Sequence, residues 1–259
     1  MFLYMGPLMN EMTKISDSTS SESGGASGLD LFSDGTSNER QAQIAIYVYQ
    51  SPIRLWHWTN MVCIIILCVT GYFIGSPPSS LSGEAIDHYL MGYTRFAHFA
   101  AGQTMVFLFI GRIIFAFTGN HYARELFMLK FYSKEWLSGF WEQFKWYMFA
   151  RHRAPQFVGH NPVAQCIMFF GFVLPAIFMI FSGLALYAEG LGMGHWLYIF
   201  TDFMLLFVDN TQDIHTFHHL GMWVIICFVI LHLYAAFREE IVSRQSMIST
   251  MISGWRMFK

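Results

Sequence analysis

The stretch that decides the fold lies near the C-terminus and reads DIHTFHHLGMWVIICFVILHLY, from Asp213 to Tyr234. Four histidines stand in or beside a run that is otherwise apolar enough to lie in a membrane: His215, His218, His219 and His232. An ionisable side chain inside a bilayer is costly and marks a functional site by default. The stretch therefore predicts a membrane helix in which some of these histidines carry the chemistry.

The composition of the whole chain indicates a membrane protein. Of its 259 residues, 54% are hydrophobic, 18% are aromatic and only 12% are charged. Soluble domains carry about 25% charged residues, roughly twice this share. The net charge of −2 at pH 7 gives no basic field of the kind that binds nucleic acid, so nucleic acid is excluded as a partner and membrane lipid is expected.

The cysteines exclude one class of cofactor attachment. They lie inside apolar runs, with no CxxC, no CxxCH and no zinc-type spacing, at Cys63, Cys68, Cys166 and Cys227. Covalent attachment of a c-type haem is therefore excluded, and a disulfide framework is not expected. We interpret all of them as small core residues.

Residues 1–45 form a polar N-terminal extension that is rich in Ser, Gly, Asp and Glu. Such a composition cannot bury a core, so disorder is predicted. The extension lacks the basic and apolar regions of a signal peptide. The chain is thus divided into a disordered extension, 1–45, and a membrane domain, 46–259.

The membrane domain contains segments long enough to cross a bilayer, which takes roughly 20 helical residues. There are four of them, at residues 56–74, 95–117, 163–187 and 218–237. Interfacial helices are predicted for two aromatic segments that are too charged or too short to cross, WLSGFWEQFKWYMFA (136–150) and HWLYIFTDFMLLFVD (195–209). The predicted fold is all-α, an integral-membrane bundle of four transmembrane helices with interfacial helices.

The distribution of Lys and Arg predicts the orientation. We assign seven basic residues to the connection between the second and third spans: Arg112, Arg124, Lys130, Lys134, Lys145, Arg151 and Arg153. The C-terminal tail carries Arg238, Arg244, Arg256 and Lys259. Segment 189–215 has four acidic residues and no Lys or Arg. Because positive charge stays on the cytoplasmic side, both termini are expected there.

Helix geometry separates the four histidines of the opening stretch. His218 and His232 are 14 residues apart, which on an α-helix is a rise of about 21 Å and an angular offset of about 40°. The offset from His232 is about 140° for His219 and about 100° for His215. Only His218 therefore shares a face with His232.

Two other histidines match this pair in depth. His57 opens the first span at the cytoplasmic side, and His98 opens the second at the outer side. His57 then pairs with His232 at the inner level, and His98 pairs with His218 at the outer level. Histidines that face each other on membrane helices are typical ligands of haem iron. The sequence therefore predicts two b-type haems, with these four histidines as the axial ligands.

Two other interpretations stay open at this point. A lone intramembrane histidine is often a hydrogen-bonded core residue, and several can line a path for a metal ion or a proton. The pairs are about 20 Å apart along the membrane normal, which favours haem over a mononuclear metal site.

An arginine precedes each entry histidine by three residues, in Arg54-Leu-Trp-His57 and Arg95-Phe-Ala-His98. This spacing places each arginine on the ligand face, one turn nearer the water. Haem propionates would emerge there, and guanidinium groups suit carboxylates. Arg54 and Arg95 are therefore candidate propionate ligands, and His215 and His219 are candidates for the same role or for proton handling at the outer surface.

Glycines also fall on these faces, at Gly71, Gly102 and Gly221. A flat macrocycle needs close approach of the backbone, which glycine permits. Ordinary packing of small residues between membrane helices explains the same glycines equally well.

Several motifs resemble one known family. RLWHWTNMVCIIILCVTGYFIG, GYTRFAHFAAG, GHNPVAQ, SGLALY and DIHTFHHLGMW with HLYAAFREE closely resemble the cytochrome b subunit of membrane-bound nickel–iron (NiFe) hydrogenases. The resemblance covers about residues 47–259 and leaves the N-terminal extension without a counterpart. The gamma subunit of formate dehydrogenases has a related architecture, but GHNP and HHLGMW favour the hydrogenase branch.

The resemblance implies a four-helix, di-haem subunit in the bacterial inner membrane. Such a subunit takes electrons from the iron–sulfur clusters of a periplasmic hydrogenase small subunit, which in turn binds the large subunit, and passes them to quinone on the cytoplasmic side. The family's ligand pattern maps onto His57, His98, His218 and His232. The chain itself is not expected to cleave hydrogen, because it lacks the cysteine pairs of a nickel–iron centre.

The resemblance also directs attention to the two ends of this path. Arg54, Asn60 and Glu239 are candidate quinone residues near the inner haem, and segment 189–215 is the candidate docking surface for the small subunit. Two alternative functions remain, an electron-transfer subunit of another respiratory oxidoreductase, such as a formate dehydrogenase, and a histidine-lined metal or proton transporter.

Overall fold

The computed structural model describes residues 44–79, 89–153, 155–243 and 246–258. The predicted disorder of the extension falls outside these residues, except that residues 44 and 45 belong to a short strand, β1 (Ile44–Tyr47). The four predicted spans are all helical. They lie within α1 (Ser51–Gly75), α2 (Leu90–Thr118), the stretch from Pro162 to Leu191, and α8 (Thr211–Ile241).

These helices present their apolar side chains outward. Large hydrophobic residues on all of them are exposed, among them Leu55, Phe107, Phe170 and Ile230. Each helix is long and apolar enough to cross a membrane. Outward-facing apolar side chains on such helices are what a lipid environment requires, because lipid replaces water as the solvent. The prediction of an all-α membrane bundle is therefore confirmed.

The third span is not one regular helix. It consists of α5 (Pro162–Met168), a π-helical turn (Phe169–Val173) and α6 (Leu174–Leu191). Pro175 explains the wide turn, because it has no N–H and its ring would clash with the carbonyl of Gly171 four residues earlier. The turn brings Phe172 against Phe228 of α8, with their ring centroids 5.5 Å apart.

Side-chain caps fix where several of the helices begin. The Asn161 side chain accepts a hydrogen bond from the Ala164 N–H at 2.7 Å, and Pro162 follows at the first helical position. Asn210 caps α8 in the same way through the Asp213 N–H at 3.0 Å. Ser133 caps α4 (Lys134–Tyr147). Each cap satisfies a backbone donor that the first helical turn leaves open.

The two segments predicted as interfacial helices are helical but shorter than predicted. Segment 136–150 corresponds to α4, which ends at Tyr147. Within segment 195–209, only α7 (Tyr198–Met204) is helical. Two further short helices are α3 (His121–Arg124) and α9 (Met247–Ser253).

A small two-stranded sheet, which the sequence did not predict, joins the two ends of the domain. β1 pairs antiparallel with β2 (Trp255–Phe258), with Tyr47 opposite Trp255. Arg256 of β2 is buried and donates to the backbone oxygens of Gly159 and Val158, at 2.9 and 3.3 Å. The sheet therefore fixes β1 and β2 against the connection before α5.

One count made from the sequence is wrong. Arg112, counted with the basic connection between the second and third spans, lies inside α2 and is buried. The other six basic residues counted there, from Arg124 to Arg153, lie beyond the end of α2 at Thr118.

Candidate functional site

The structure brings the four predicted ligand histidines together as two facing pairs. The ring centroids of His98 and His218 are 6.4 Å apart, with an angle of 72° between the ring planes. The ring centroids of His57 and His232 are 6.3 Å apart, with an angle of 49°. α8 contributes one histidine to each pair, α1 contributes His57, and α2 contributes His98.

These separations fit a metal ion bound between the two rings. Bonds of about 2 Å from a metal to imidazole nitrogen place each ring centroid about 3.2 Å from the metal, so that two rings on opposite sides are about 6.4 Å apart. Both measured separations match this value.

Two hydroxyl groups orient the outer pair. The Oγ1 atom of Thr70 lies 2.8 Å from Nδ1 of His98, and the Oγ atom of Ser182 lies 2.8 Å from Nδ1 of His218. Thr70 donates its own proton to the carbonyl of Ile66 at 2.6 Å, and Ser182 donates to Phe178 at 2.8 Å.

Each hydroxyl has only one proton, so both must accept from the imidazoles. Nδ1 of each outer histidine therefore carries the hydrogen, and Nε2 keeps its lone pair. A second hydrogen bond of this kind is how proteins fix the tautomer and the ring orientation of a histidine that binds a metal. Nε2 of each outer histidine is thus available as a metal ligand.

A cavity of about 910 Å³ surrounds the outer pair. This volume lies within the range of ligand pockets, which is about 300–1,000 Å³. Its walls include Gly71 and Gly183, where an added Cβ would lie 3.3 Å from Cε1 of His98 and of His218 respectively. Larger residues at these glycines would crowd the histidine rings and reduce the space for a macrocycle.

The inner pair has a different environment. The ring of Phe228 stacks on His232, with centroids 5.5 Å apart and planes at 24°. Nδ1 of His57 is buried and has no hydrogen-bond partner among the described residues. A buried polar atom without a partner is unusual in a native protein. It is consistent with a group that this protein binds at the inner level.

Comparison with known proteins identifies the family of the chain. The model of the prokaryotic cytochrome b561 family matches residues 48–254. The chain belongs to this family. Among its relatives, the "Probable Ni/Fe-hydrogenase B-type cytochrome subunit" of Azotobacter chroococcum is 51% identical over 226 residues, which cover 87% of this chain and 94% of that protein. The protein of the same name from Bradyrhizobium diazoefficiens is 45% identical over 229 residues, covering 88% of this chain and 93% of that protein.

A relative in Escherichia coli K12 is named "Probable Ni/Fe-hydrogenase 1 B-type cytochrome subunit". It is 44% identical over 223 residues, which cover 83% of this chain and 92% of that protein. The resemblance to hydrogenase cytochrome b subunits is therefore confirmed. Membership of a cytochrome b family makes haem b the cofactor, and the two histidine pairs are the residues whose spacing fits it.

The two arginines predicted to bind haem propionates in this cytochrome differ in their surroundings. Arg95 is exposed and lines the mouth of the outer cavity. Arg54 is half-buried and donates to the backbone oxygen of Ile252 and, at 3.0 Å, to Oγ of Ser51. The Arg54 guanidinium is thus partly engaged by the C-terminal segment. For both residues, binding to propionates stays a prediction.

His215 and His219 both line the outer cavity and form neither ring pair. Nε2 of His215 lies 3.5 Å from a carboxylate oxygen of Glu189, at the exposed end of α6. His219 lies beside Gly75, where an added Cβ would be 2.7 Å from Nδ1 of His219. Both therefore lie outside the two facing pairs, as helix geometry predicted, and at the same end of α8 as His218; their roles stay predictions.

The candidate quinone residues lie at the inner end. Asn60 is buried, one turn after His57 on α1. Glu239 is only 3% exposed, and its Oε1 accepts hydrogen bonds from Gln143 at 2.7 Å and from Tyr147 at 2.9 Å. Asn161 also donates to Oε1 at 3.3 Å, and Ser243 donates to Oε2 at 2.8 Å.

Sequence reasoning identified Glu239 but missed its partners on other segments. The pKa of Tyr147 is raised above its ordinary value by burial and by the nearby carboxylate of Glu239. Tyr147 therefore remains a hydrogen-bond donor throughout the physiological range. The GHNP motif contained the one available signal for this cluster. Its asparagine, Asn161, donates to Glu239 through Nδ2 and caps α5 through Oδ1.

Proposed function

We propose that this chain is the di-haem cytochrome b subunit of a respiratory nickel–iron hydrogenase. It carries electrons from the iron–sulfur clusters of a periplasmic small subunit across the bacterial inner membrane to quinone, and it anchors the complex in that membrane. The observation that supports this most directly is the pair of facing histidines at each of two levels along α8. The names of the relatives supply the association with a hydrogenase.

Each pair supplies the axial ligands for one b-type haem. His98 and His218 hold the outer one through Nε2, and Thr70 and Ser182 keep their rings in the binding tautomer. His57 and His232 hold the inner one. When bound, haem supplies an iron that accepts and releases one electron at a time. The 14 residues between His218 and His232 correspond to about 21 Å of the roughly 30 Å hydrocarbon layer, so the two sites divide its thickness.

The orientation follows from the charge distribution. The basic residues of the connection between α2 and α5 and of the C-terminal tail favour the cytoplasm, and the acidic segment 189–215 favours the periplasm. This orientation places His98 and His218 near the periplasmic partner. It places His57, His232 and the Glu239 cluster on the cytoplasmic side, where quinone reduction takes up protons.

Segment 189–215 is the proposed docking surface for the small subunit. Thr201 of α7 is buried and donates to the carbonyl of Ala185 at 2.9 Å, which fixes the segment on α6. Met193 and Trp196 remain exposed beside it. A fixed backbone with exposed apolar side chains suits a protein partner or the lipid interface. Co-purification of the small subunit with variants of these side chains distinguishes the two.

Changing Met193 and Trp196 to Ser tests the docking proposal. We expect less small subunit to co-purify with the variant, since apolar contacts are lost while the Thr201 anchor stays. Trp141→Ser is the matched control, because Trp141 is an exposed tryptophan on α4, at the opposite end of the bundle in the proposed orientation. Unchanged association in the Met193/Trp196 variant would refute this docking surface.

The reaction itself is tested in membranes that contain the partner subunits. Addition of hydrogen should reduce the b-type haem, and reoxidation should depend on quinone. Haem that stays oxidised under hydrogen while the hydrogenase is active with an artificial dye would refute the proposed path. A chain without haem, assayed by pyridine haemochrome, would favour the transporter alternative.

A further inference from the structure

Arg112 is a buried cation that the predicted sites do not use. It lies in α2 and is only 4% exposed. Its Nη2 donates to the carbonyl of Ala123 at 2.8 Å, and the guanidinium carbon lies 5.4 Å from the ring of Trp56 and 5.3 Å from the ring of Phe127. Nε and Nη1 are buried and have no hydrogen-bond partner among the described residues.

The register between α1 and α2 places Arg112 at the level of the inner histidines. The two helices are antiparallel neighbours, with Gly71 against His98 and, four residues on, Gly102 against Leu67. In the same register, His57 of α1 is opposite Arg112 of α2, ten residues beyond the contact between Leu67 and Gly102. The contact between the Arg112 guanidinium and the ring of Trp56, the neighbour of His57, agrees with it.

Arg112 and His98 lie on nearly the same face of α2, Arg112 at the level of the inner pair and His98 at the level of the outer pair. The two residues are 14 positions apart on α2, which corresponds to about 21 Å of rise and an offset of about 40°. A chain of aromatic contacts joins Arg112 to the inner site: Trp56 lies 6.2 Å from Phe172, Phe172 lies 5.5 Å from Phe228, and Phe228 lies 5.5 Å from His232.

A guanidinium in this position needs an anion. Arginine stays charged in proteins, and a buried charge is costly unless it is paired and hydrogen-bonded. Contact with two aromatic faces offsets only part of that cost. No carboxylate of the described residues forms an ion pair with Arg112. Glu125, two positions after Ala123, is engaged by the backbone N–H of His160 at 2.9 Å and by Nδ1 of the same residue at 3.2 Å.

We propose that Arg112 binds a propionate carboxylate of the inner haem through its free Nε and Nη1 donors. This inference rests on the proposed function, which brings a haem to His57 and His232. The planar fork of donors on arginine matches a carboxylate, and the carboxylate supplies the negative charge that the described residues do not provide. Arg54 donates through its Nη atoms to Ile252 and Ser51 and leaves only Nε without a partner among the described residues, whereas Arg112 leaves both Nε and Nη1.

The positive charge has a second consequence. Reduction removes one positive charge from the iron site, so a fixed cation nearby stabilises the reduced form. Arg112 therefore raises the midpoint potential of the inner haem. It acts as a positioning residue for that haem and as a determinant of its potential.

The test uses the intact complex in membranes or detergent, with Arg112→Gln and Arg112→Lys. The matched control is Arg124→Gln, which removes the same charge at an exposed position that donates to the backbone oxygens of Ala116 and Phe117, at the end of α2. Haem content, the two midpoint potentials and the resonance Raman bands of the propionates are measured. A His57→Ala variant identifies which titration component belongs to the inner site.

We expect Arg112→Gln to lower the potential of the inner component and shift a propionate band, with the outer component unchanged. Arg112→Lys should recover most of the potential but not the band, because lysine keeps the charge and loses the fork. Arg124→Gln should change neither. If Arg112→Gln loses the inner haem, the propionate band of Arg112→Lys is the deciding measurement. A shifted band in that variant supports the inference, and an unshifted band refutes it.

Unchanged potentials and unchanged bands with both haems present would overturn the inference and leave the proposed function intact. The same holds if quinone reduction falls while potentials and bands stay constant, because Arg112 would then bind quinone. A wild-type chain without two haems would instead refute the proposed function.

Discussion

Nδ1 of His218 lies 2.8 Å from the hydroxyl oxygen of Ser182, which itself donates to the carbonyl of Phe178. Thr70 has the same relationship to His98 on the opposite side of the outer cavity. Two hydroxyl groups on two different helices thus hold two facing imidazoles by Nδ1 and leave Nε2 of each as the nitrogen with a lone pair. Four separate elements have to pack correctly before this geometry exists.

Removing these hydroxyl groups should weaken the outer site alone. In Thr70→Val and Ser182→Ala, the imidazole loses the acceptor that fixes its tautomer, and we expect outer haem affinity to fall by about 10–100-fold. The measurement is haem retention and the visible and electron paramagnetic resonance spectra of the purified subunit.

Thr104→Val is the matched control for these variants. Thr104 makes the same backbone hydrogen bond, to Ala100 at 2.8 Å, but it is exposed and has no histidine partner. Wild-type haem retention and spectra in both Thr70→Val and Ser182→Ala would contradict the assigned tautomers.

Neighbouring histidines on α8 should differ sharply in effect. His218→Ala should leave one haem per chain, because it removes a ligand of the outer pair. His219→Ala should leave two, because His219 lies beside Gly75 and outside both ring pairs. Pyridine haemochrome analysis measures both, and the reverse pattern would show that the ligand on this turn of α8 was misassigned.

Space beside the outer histidines is a separate requirement. In Gly71→Val the added side chain enters the space beside Cε1 of His98, where even a Cβ would be at 3.3 Å, and Met222 closes the other side. We expect the outer haem to be lost or strongly reduced. Gly111→Val on α2 has open space around it and should keep both haems. Equal haem content in the two variants would argue that Gly71 serves helix packing only.

The buried carboxylate of Glu239 should matter to quinone reduction rather than to haem binding. Glu239→Gln keeps the shape and one oxygen that can accept from Gln143, Tyr147 and Asn161, but it removes the negative charge and the carboxylate that can exchange a proton. We expect hydrogen-dependent quinone reduction to fall by about 100-fold, the lower end of the range that is typical for loss of a group in proton transfer. Both haems should stay reducible by hydrogen.

Glu240→Gln is the control for that variant, since Glu240 is adjacent in sequence but accepts from the Ile248 N–H at 2.8 Å instead of joining the buried cluster. Normal quinone reduction in Glu239→Gln would remove Glu239 from the quinone site. Loss of the inner haem would assign it to the haem pocket.

The sequence predicted the parts of the fold that depend on local periodicity. The apolar spans follow from the length of the apolar runs, and the shared face of His218 and His232 follows from 3.6 residues per turn. Pairing by depth then followed from the orientation that the charges predict. The structure brings together the same two pairs.

The features that sequence reasoning missed depend on partners remote in the chain. Thr70 and Ser182 became recognisable only when α1 and α6 were packed against the histidines of α2 and α8. The β1–β2 pair joins residues more than two hundred positions apart, and four-residue strands have no distinctive pattern. Arg112 was counted as a loop charge because a positive residue near the end of a span is usually cytoplasmic.

The structure distinguishes the roles of the candidate glycines. Gly71 faces His98 as a close neighbour, and Gly183, which the sequence did not single out, has the same place beside His218. At Gly221 an added Cβ would instead meet Sδ of Met179, so that glycine serves the packing of α6 on α8. Sequence spacing gives the face of a glycine but not the side chain opposite it.

The ratio of haem b to protein in the purified subunit tests the central claim most directly. The account predicts two haems per wild-type chain, and one in His57→Ala or in His98→Ala, each variant losing a different component of the redox titration. A single haem in the wild-type chain that survives either substitution, or no haem at all, would contradict it.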